Sequence, residues 1–567
     1  MDKILKNKEV SEILRDISAV YQVKGANLFQ VRAYDQAADS IEHSTSEIKD
    51  VWEKGHLDQI PGIGDHMHKY LDELFRTGRV KHFEKILSGV PEEMFQFLKI
   101  PGVGSKTAFK LAQAGVVSIE DLENRIKAGW LLKKGFSEKN LQNILRGIEE
   151  FKRKSDRILL PVAGEVAKQV IEYLEKNKYV TQAHPLGSLR RRVATVGDID
   201  ISVASNKPKK VIDYFKKFPS VERVVESGDR TATISLTNGI RVDLMVQPPE
   251  QYGSLLHHFT GSKSHNIHMR SIARERGYSI SEYGIKKLKT DKVHPCQTED
   301  EVYSLFGMQT PAPELREDTG EIEAALTHKL PNLIELSDIK GDMQTHSTWS
   351  DGQNTIEEMA AAANKLGREY IALTDHSYPS SDFEKRLGEI EQFNYSQNKI
   401  RVISGLEVNI NADSTLQVSD EVLEKHEVIL VSIHTSFRQP VAEMTKRIIK
   451  SLENPHVDIF AHPTGRLLLE REGIDADWEK IFKTAAKLGK ILEINAFPNR
   501  LDLPDVLIRE AKRFGVRFSI GTDSHQTSQL ALMEYGVANA RRGWVEAKEV
   551  INTLPLKKIK DILNLKD

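Results

Sequence analysis

Cysteine is almost missing from this 567-residue chain; Cys296 is the only one. A lone thiol excludes an internal disulfide framework and suits a reducing compartment. Long apolar runs are missing too, and none approaches the roughly 20 residues that a membrane span needs. The opening Met1-Asp2-Lys3-Ile4-Leu5-Lys6 leads into a charged, helix-like stretch rather than a signal peptide. A cytoplasmic protein with no membrane partner is expected. Net charge is close to absent, at −2, but the balance hides an asymmetry. Residues 1–300 carry 48 Lys and Arg against 40 Asp and Glu, and the remainder carries 32 against 42. The basic surplus peaks at 151–300, with 26 against 17. A basic front and an acidic back suit nucleic acid docked on the front. The length allows about three to five domains.

Two carboxylates supply the sharpest positive signal. Asp198 and Asp200 lie two apart in Asp198-Ile199-Asp200-Ile201-Ser202-Val203, a run that reads as a strand. Side chains at i and i+2 share a strand face, so both converge on one site. Asp243 sits in a second strand-like run, Ile240-Arg241-Val242-Asp243-Leu244-Met245-Val246. Alternating acids are more often just a solvated strand face. Here a third carboxylate lies in an apolar strand, where it is costly without a partner. Gly187-Ser188 with Arg190, Arg191 and Arg192 comes just before, a composition suited to phosphate capture. Together these favour a pair of divalent cations serving in-line phosphoryl transfer.

The first 150 residues read as short helices with tight glycine turns, and one turn occurs twice. Ile60-Pro61-Gly62-Ile63-Gly64 and Ile100-Pro101-Gly102-Val103-Gly104 each join a helix-like segment to a following helix. This is the helix-hairpin-helix pattern, in which amides at the second helix's start point outward toward a DNA phosphate. Lys106 adds charge to the second copy. Such contacts grip the DNA backbone without reading sequence.

From about residue 337, short apolar strand-like runs alternate with amphipathic helices, as βα units do. His376, Glu407, His434, His462, Asp523 and His525 stand at the C-terminal ends of these runs; the first run ends at His346, and Ser350-Asp351-Gly352 follows. Active sites of α/β barrels form at that strand end. A single such histidine is more often a satisfied core residue. Repeated imidazoles and carboxylates at equivalent places are instead a metal cluster for Mn, Zn or Fe.

The segment 187–246 resembles the palm of family X DNA polymerases, within the nucleotidyltransferase superfamily. The resemblance makes Asp198, Asp200 and Asp243 the catalytic, metal-binding aspartates, with Mg²⁺ or Mn²⁺ as cofactor, and Gly187, Ser188 and Arg191 the triphosphate loop. His258-Phe259-Thr260-Gly261 through Asn266 and Arg270 is similar to the family's nucleotide-selecting segment. It implies that Phe259 and Gly261 line the sugar pocket, with His258 where many relatives carry Tyr. Asn266 would meet the incoming base and Arg270 the template. In the N-terminal domain, Tyr70 takes the place of the Schiff-base lysine of some relatives, with Lys69 one residue early and His66 at a phosphate-ligand position. One helical residue turns a side chain by about 100°, so Lys69 is no simple substitute.

The C-terminal part resembles the polymerase-and-histidinol-phosphatase (PHP) domain, a distorted (β/α) barrel. Its implied ligands are His346, Asp351, His376, Glu407, His434, His462, Asp523 and His525, holding a manganese or zinc cluster. Gln344 departs from the Asp-x-His-x-His pattern by replacing its first histidine.

The implied architecture is multidomain. It runs as an α-helical helix-hairpin-helix domain at 1–88, a second helical, fingers-like one at 89–155, an α+β palm at 156–246 and a thumb at 247–315. A linker at 316–336 and the PHP domain at 337–567 complete it. The implied activity is template-directed gap filling in base excision repair with a 3′→5′ exonuclease, alongside abasic-site endonuclease or 3′-phosphatase work. The implied partners are gapped or primed duplex DNA and deoxynucleoside triphosphates, bound by a monomer. The rival readings are a template-independent nucleotidyltransferase, opposed by the paired hairpins, and a DNA-binding scaffold, opposed by the complete ligand sets.

Overall fold

The computed structural model describes residues 5, 7–43, 48–53, 55, 57, 60, 63–100, 102–155, 157–377, 382–397 and 399–563. Apolar residues at helical spacing build the N-terminal region. Val10, Leu14 and Ile17 of α1 (Asn7–Val23) meet Ala37, Ala38 and Ile41 of α2 (Leu28–His43) in one core. The two hairpins lead into α3 (Asp65–Thr77) and α4 (Ser105–Gln113).

The central sheet holds β1 (Gln182–Pro185), β2 (Ile199–Ala204), β3 (Val221–Ser227), β4 (Thr231–Leu236) and β5 (Arg241–Gln247). The order is β1-β2-β5-β4-β3, with β2 and β5 parallel and the other pairs antiparallel. Ile199, Ile201 and Val203 alternate with Val242, Leu244 and Val246 into a core shared with Ala163, Ala167 and Val170 of α5 (Leu160–Glu175). Period-two alternation puts Asp200 and Asp243 on the opposite face. The smaller domain that follows contains α6 (Tyr252–Thr260), α7 (Lys263–Glu275) and a three-stranded antiparallel sheet. Ile322 and Ala325, in the stretch read as a linker, belong to its core.

The C-terminal domain is a nearly closed parallel barrel. Its strands are β6 (Gly341–Thr345), β7 (Tyr370–Leu373), β8 (Arg401–Asn409), β9 (Val428–Ser432), β10 (Ile459–Phe460), β11 (Ile491–Asn495) and β12 (Arg517–Gly521), in chain order. The chain beyond β12 reaches β6: the Asp523 amide donates to the Gln344 carbonyl at 2.9 Å, and the His346 amide to the Ser524 carbonyl at 2.8 Å. Such strands are apolar on both faces because both are covered. In β9, Val428 and Leu430 join an inner core plugged by Ile559 and Leu563, while Ile429 and Val431 join the outer core. The barrel's Leu501 is buried in the central-sheet core. No helix among the described residues is long and apolar enough to cross a membrane.

Candidate active sites

In the central sheet, β2 and β5 pair with Asp200 directly opposite Asp243. Asp198 lies one residue ahead of β2 and is exposed, so the strand starts one residue later than its sequence suggests. Burial, with Asp243 and Asp198 nearby, pushes the Asp200 carboxyl up to about 6. The Thr233 hydroxyl donates to Asp243 Oδ1. Gly187 has φ +56°, and a Cβ there would lie 3.1 Å from Asp200 Oδ2. Glycine therefore suits the left-handed backbone, and a side chain there would crowd the Asp200 carboxylate. Ser188 follows in the same short helical turn.

Arg190 forks onto Glu299 at 3.0 and 2.6 Å, and Glu299 also receives the buried Arg316. Burial opposes ionisation of Glu299, but the two guanidiniums hold its carboxyl far below the usual range. Arg191 donates from Nη1 to the Thr260 carbonyl at 2.6 Å. His258 packs edge-on against Phe259 at 4.8 Å, and burial lowers its pKa. Gly261, at φ +69°, ends α6. Asn266 Nδ2 donates to the His258 carbonyl at 2.7 Å, while its Oδ1 is buried without a partner. Arg270 is exposed, with Nε on the Asn266 carbonyl.

The two hairpins share one geometry. Gly64 (φ −83°, ψ 176°) and Gly104 (φ −83°, ψ 165°) precede α3 and α4, and neither helix start has a side-chain cap. The Ile63 amide donates to Ile60, and the Val103 amide to Ile100, closing the same turn. Gly64, Gly102, Gly104 and Lys106 are exposed, leaving amides available to an anion. Gly62 lies outside the described residues. Tyr70 stacks on His82 at 4.7 Å, and Lys69 and His66 are exposed.

At the barrel's C-terminal mouth the predicted ligands converge around Glu407. Its Oε1 lies 2.9 Å from His462 Nε2 and 3.2 Å from His434 Nε2; its Oε2 lies 3.5 Å from both His346 Nε2 and His376 Nδ1. Asp351 faces His525 Nε2 at 3.2 Å and His376 Nε2 at 3.6 Å. Asp523 faces His346 Nε2 at 3.2 Å. Three groups bring their donor atoms within 4.8 Å: His346, Asp351, His376 and His525; His376, Glu407 and His434; and His346, Glu407 and Asp523. His462 reaches Glu407 from outside these groups. Among the described residues, no other His, Cys, Asp or Glu set gathers so tightly, the central-sheet aspartates included.

The electrostatics fit a cation site. Burial opposes ionisation of Glu407, yet His376, His434 and His462 hold it well below the usual range. Burial would depress His525, but Asp351, with Asp523, raises it to about 9. Buried His346 brings Nε2 to the Asp523 and Glu407 carboxylates, while its Nδ1 and that of His462 make no hydrogen bond. Buried imidazole nitrogens gathered among carboxylates fit divalent transition ions. His462 and Asp523 also hold left-handed backbone, at φ +28° and +54°, a strain typical of functional positions.

Gln344 is fully buried and bonded at both ends of its amide. Nε2 donates to Glu407 Oε2 at 3.0 Å, and Oε1 accepts from Asn495 Nδ2 at 3.4 Å. It thus orients the central carboxylate rather than offering an oxygen to an ion. Sequence reasoning missed Glu493 and Asn495, which donate to or accept from this network. The Asn495 amide reaches both Glu493 Oε2 and Asp523 Oδ2 at 3.2 Å. Burial, with Asp523 beside it, pushes Glu493 well above the carboxylate range. Gly521 makes room for it, since a Cβ there would stand 2.1 Å from Glu493 Oε1. The missed signal was two polar residues alternating inside an otherwise apolar buried strand.

Comparisons with known proteins agree with this layout. Residues 5–80 match the helix-hairpin-helix domain model and 95–150 the SAM-like helix-hairpin-helix tandem model. Residues 255–317 match the DNA polymerase beta thumb and 342–497 the PHP domain. The chain is 36% identical to the DNA polymerase/3′-5′ exonuclease PolX of Bacillus subtilis (strain 168), over 99% of this chain and 100% of that one. It is 23% identical to DNA polymerase lambda of Rattus norvegicus, over 55% of this chain and 56% of that one. It is 28% identical to a probable phosphatase of Thermoanaerobacter sp. (strain X514), over 40% of this chain and 94% of that one.

Proposed function

The chain belongs to the family X DNA polymerases that carry a C-terminal PHP domain, and we propose that it fills short gaps in duplex DNA during base excision repair. Deoxynucleotides are added at the palm, and 3′-terminal nucleotides are removed at the barrel mouth. Both centres depend on divalent metals, and the chain binds DNA. The observation that carries the reading is the pairing of Asp200 with Asp243 in one domain and the Glu407-centred donor cluster in another.

At the palm, Asp198, Asp200 and Asp243 would hold Mg²⁺ or Mn²⁺, which supply charge neutralisation and oxygen activation when bound. Gly187, Ser188 and Arg191 orient the triphosphate of the incoming deoxynucleoside triphosphate. His258, Phe259 and Gly261 line the sugar. Asn266 has a buried, unpartnered oxygen left for the base, and Arg270 is exposed toward a template strand. The hairpins, with Gly62, Gly64, Gly102, Gly104 and Lys106, hold backbone phosphates whatever the sequence.

At the barrel, His346, Asp351, His376, Glu407, His434, His462, Asp523 and His525 would hold manganese or zinc. Bound there, the ions supply Lewis-acid polarisation of the phosphate and activation of water. Gln344 and Asn495 keep Glu407 and Asp523 aimed at the cluster. Abasic-site cleavage or 3′-phosphate removal uses the same centre. The domain limits are those read from the sequence, except that the stretch read as a linker contributes Ile322 and Ala325 to the thumb core, and the protein acts as a cytoplasmic monomer.

The test is purified protein on a one-nucleotide gapped duplex, with Mg²⁺ or Mn²⁺, with and without deoxynucleotides. Losing about 4 kcal/mol of charge stabilisation costs on the order of 10³ in rate. Asp198→Ala should lose extension on that scale and keep the exonuclease. His346→Ala or Asp523→Ala should do the reverse. Loss of both activities from either change defeats the two-centre reading.

A further inference from the structure

Arg191 has a neighbour from the other catalytic domain. Its Nε lies 2.9 Å from Glu317 Oε1. The same carboxylate oxygen accepts from Nη1 of Arg542 at 3.0 Å. Arg542 stands at the C-terminal end of α8 (Met533–Arg542), in the barrel domain. Its Nη1 also donates to the backbone carbonyl of Arg191 at 2.8 Å, and its Nη2 lies 2.6 Å from Asp505 Oδ2. The Arg542 and Arg191 side chains are 8% and 14% exposed and that of Glu317 27%, so water screens this contact only in part.

One carboxylate oxygen is thus shared by two guanidiniums. A glutamate paired with Arg191 alone would cancel the charge that a triphosphate seeks and would compete for the same donors. Arg542 draws off part of that negative charge and fixes the loop through its carbonyl. We infer that Arg542 of the PHP domain is a positioning residue for nucleotide binding at the palm, keeping Arg191 available to the triphosphate by holding Glu317. The inference rests on the assignment of Arg191 to the triphosphate. It gives the barrel domain a part in synthesis that is separate from hydrolysis.

The experiment measures KM for the deoxynucleotide, kcat and exonuclease rate in the full-length chain. Arg542→Gln should raise KM about tenfold, the scale of one charge-assisted hydrogen bond, with kcat and exonuclease within twofold. Adding Glu317→Gln to Arg542→Gln should return KM to within twofold of the parent, because the competitor is gone. That non-additivity is the signature of coupling. An unchanged KM in Arg542→Gln overturns the inference, as does a raised KM that Glu317→Gln does not rescue, since that pattern marks simple undocking. Arg191→Ala separates the two readings. If it leaves KM unchanged, the triphosphate assignment itself fails. If it raises KM while Arg542→Gln does not, only the coupling fails.

Discussion

Replacing Gln344 with leucine removes the amide that braces Glu407 at the heart of the barrel cluster. Leucine is close to glutamine in volume, so the change removes the amide without opening a large cavity. What disappears is the 3.0 Å donation from Nε2 to Glu407 Oε2, together with the longer 3.4 Å acceptance by Oε1 from Asn495 Nδ2. Asn495 keeps its contacts with Glu493 and Asp523. A hydrogen bond to an ionised group contributes about 1.5–3 kcal/mol, and every 1.4 kcal/mol is about tenfold in affinity. Manganese binding should therefore weaken by about 10- to 100-fold, the range found when a group orienting a ligand is removed. The assay is a manganese titration followed by calorimetry, with exonuclease rate measured across the same concentrations. Exonuclease activity should return at high manganese, and primer extension should stay within twofold of the parent. Unchanged manganese affinity would refute the orienting role of Gln344. Lost extension would refute the independence of the two centres.

Three further outcomes follow from the geometry. Glu299→Gln leaves Arg190 and Arg316 short of their shared counter-charge and should destabilise the palm–thumb unit by about 3–5 kcal/mol, read by chemical denaturation. Glu299 is depressed in the folded chain, so its contribution is present above its unfolded value and is lost as pH falls below it; the variant should show a weaker loss over that acid range. Lys106→Ala should weaken binding to gapped duplexes of any sequence, with a salt slope shallower by about one, measured by anisotropy across a salt series. Asp198→Ala against His346→Ala, on the gapped substrate, should separate synthesis from hydrolysis on the scale given above.

Much of this molecule was legible because its chemistry follows local periods. Asp198 and Asp200 could be read as facing one site because strand side chains alternate, and the barrel ligands as gathered because parallel strands in βα units end at one mouth; the register that sets Asp200 opposite Asp243 came from the sheet. The twin hairpins were legible as a repeated turn whose backbone geometry depends only on a few adjacent residues. Asp198, placed within the strand by its sequence, stands just outside it, because ladder pairing decides where a strand begins.

Tertiary structure alone decided who touches whom. A buried amide is donor or acceptor according to its neighbours, and Gln344 became a donor because Glu407, 63 residues away, lies on one side and Asn495 on the other. Arg542 meets Arg191 across 351 residues, a separation over which no local pattern carries information. Motifs in the chain determined which functional groups exist and which face each occupies; packing of one domain on another determined which carboxylate each guanidinium shares, because charge pairing depends on distance in space rather than along the chain.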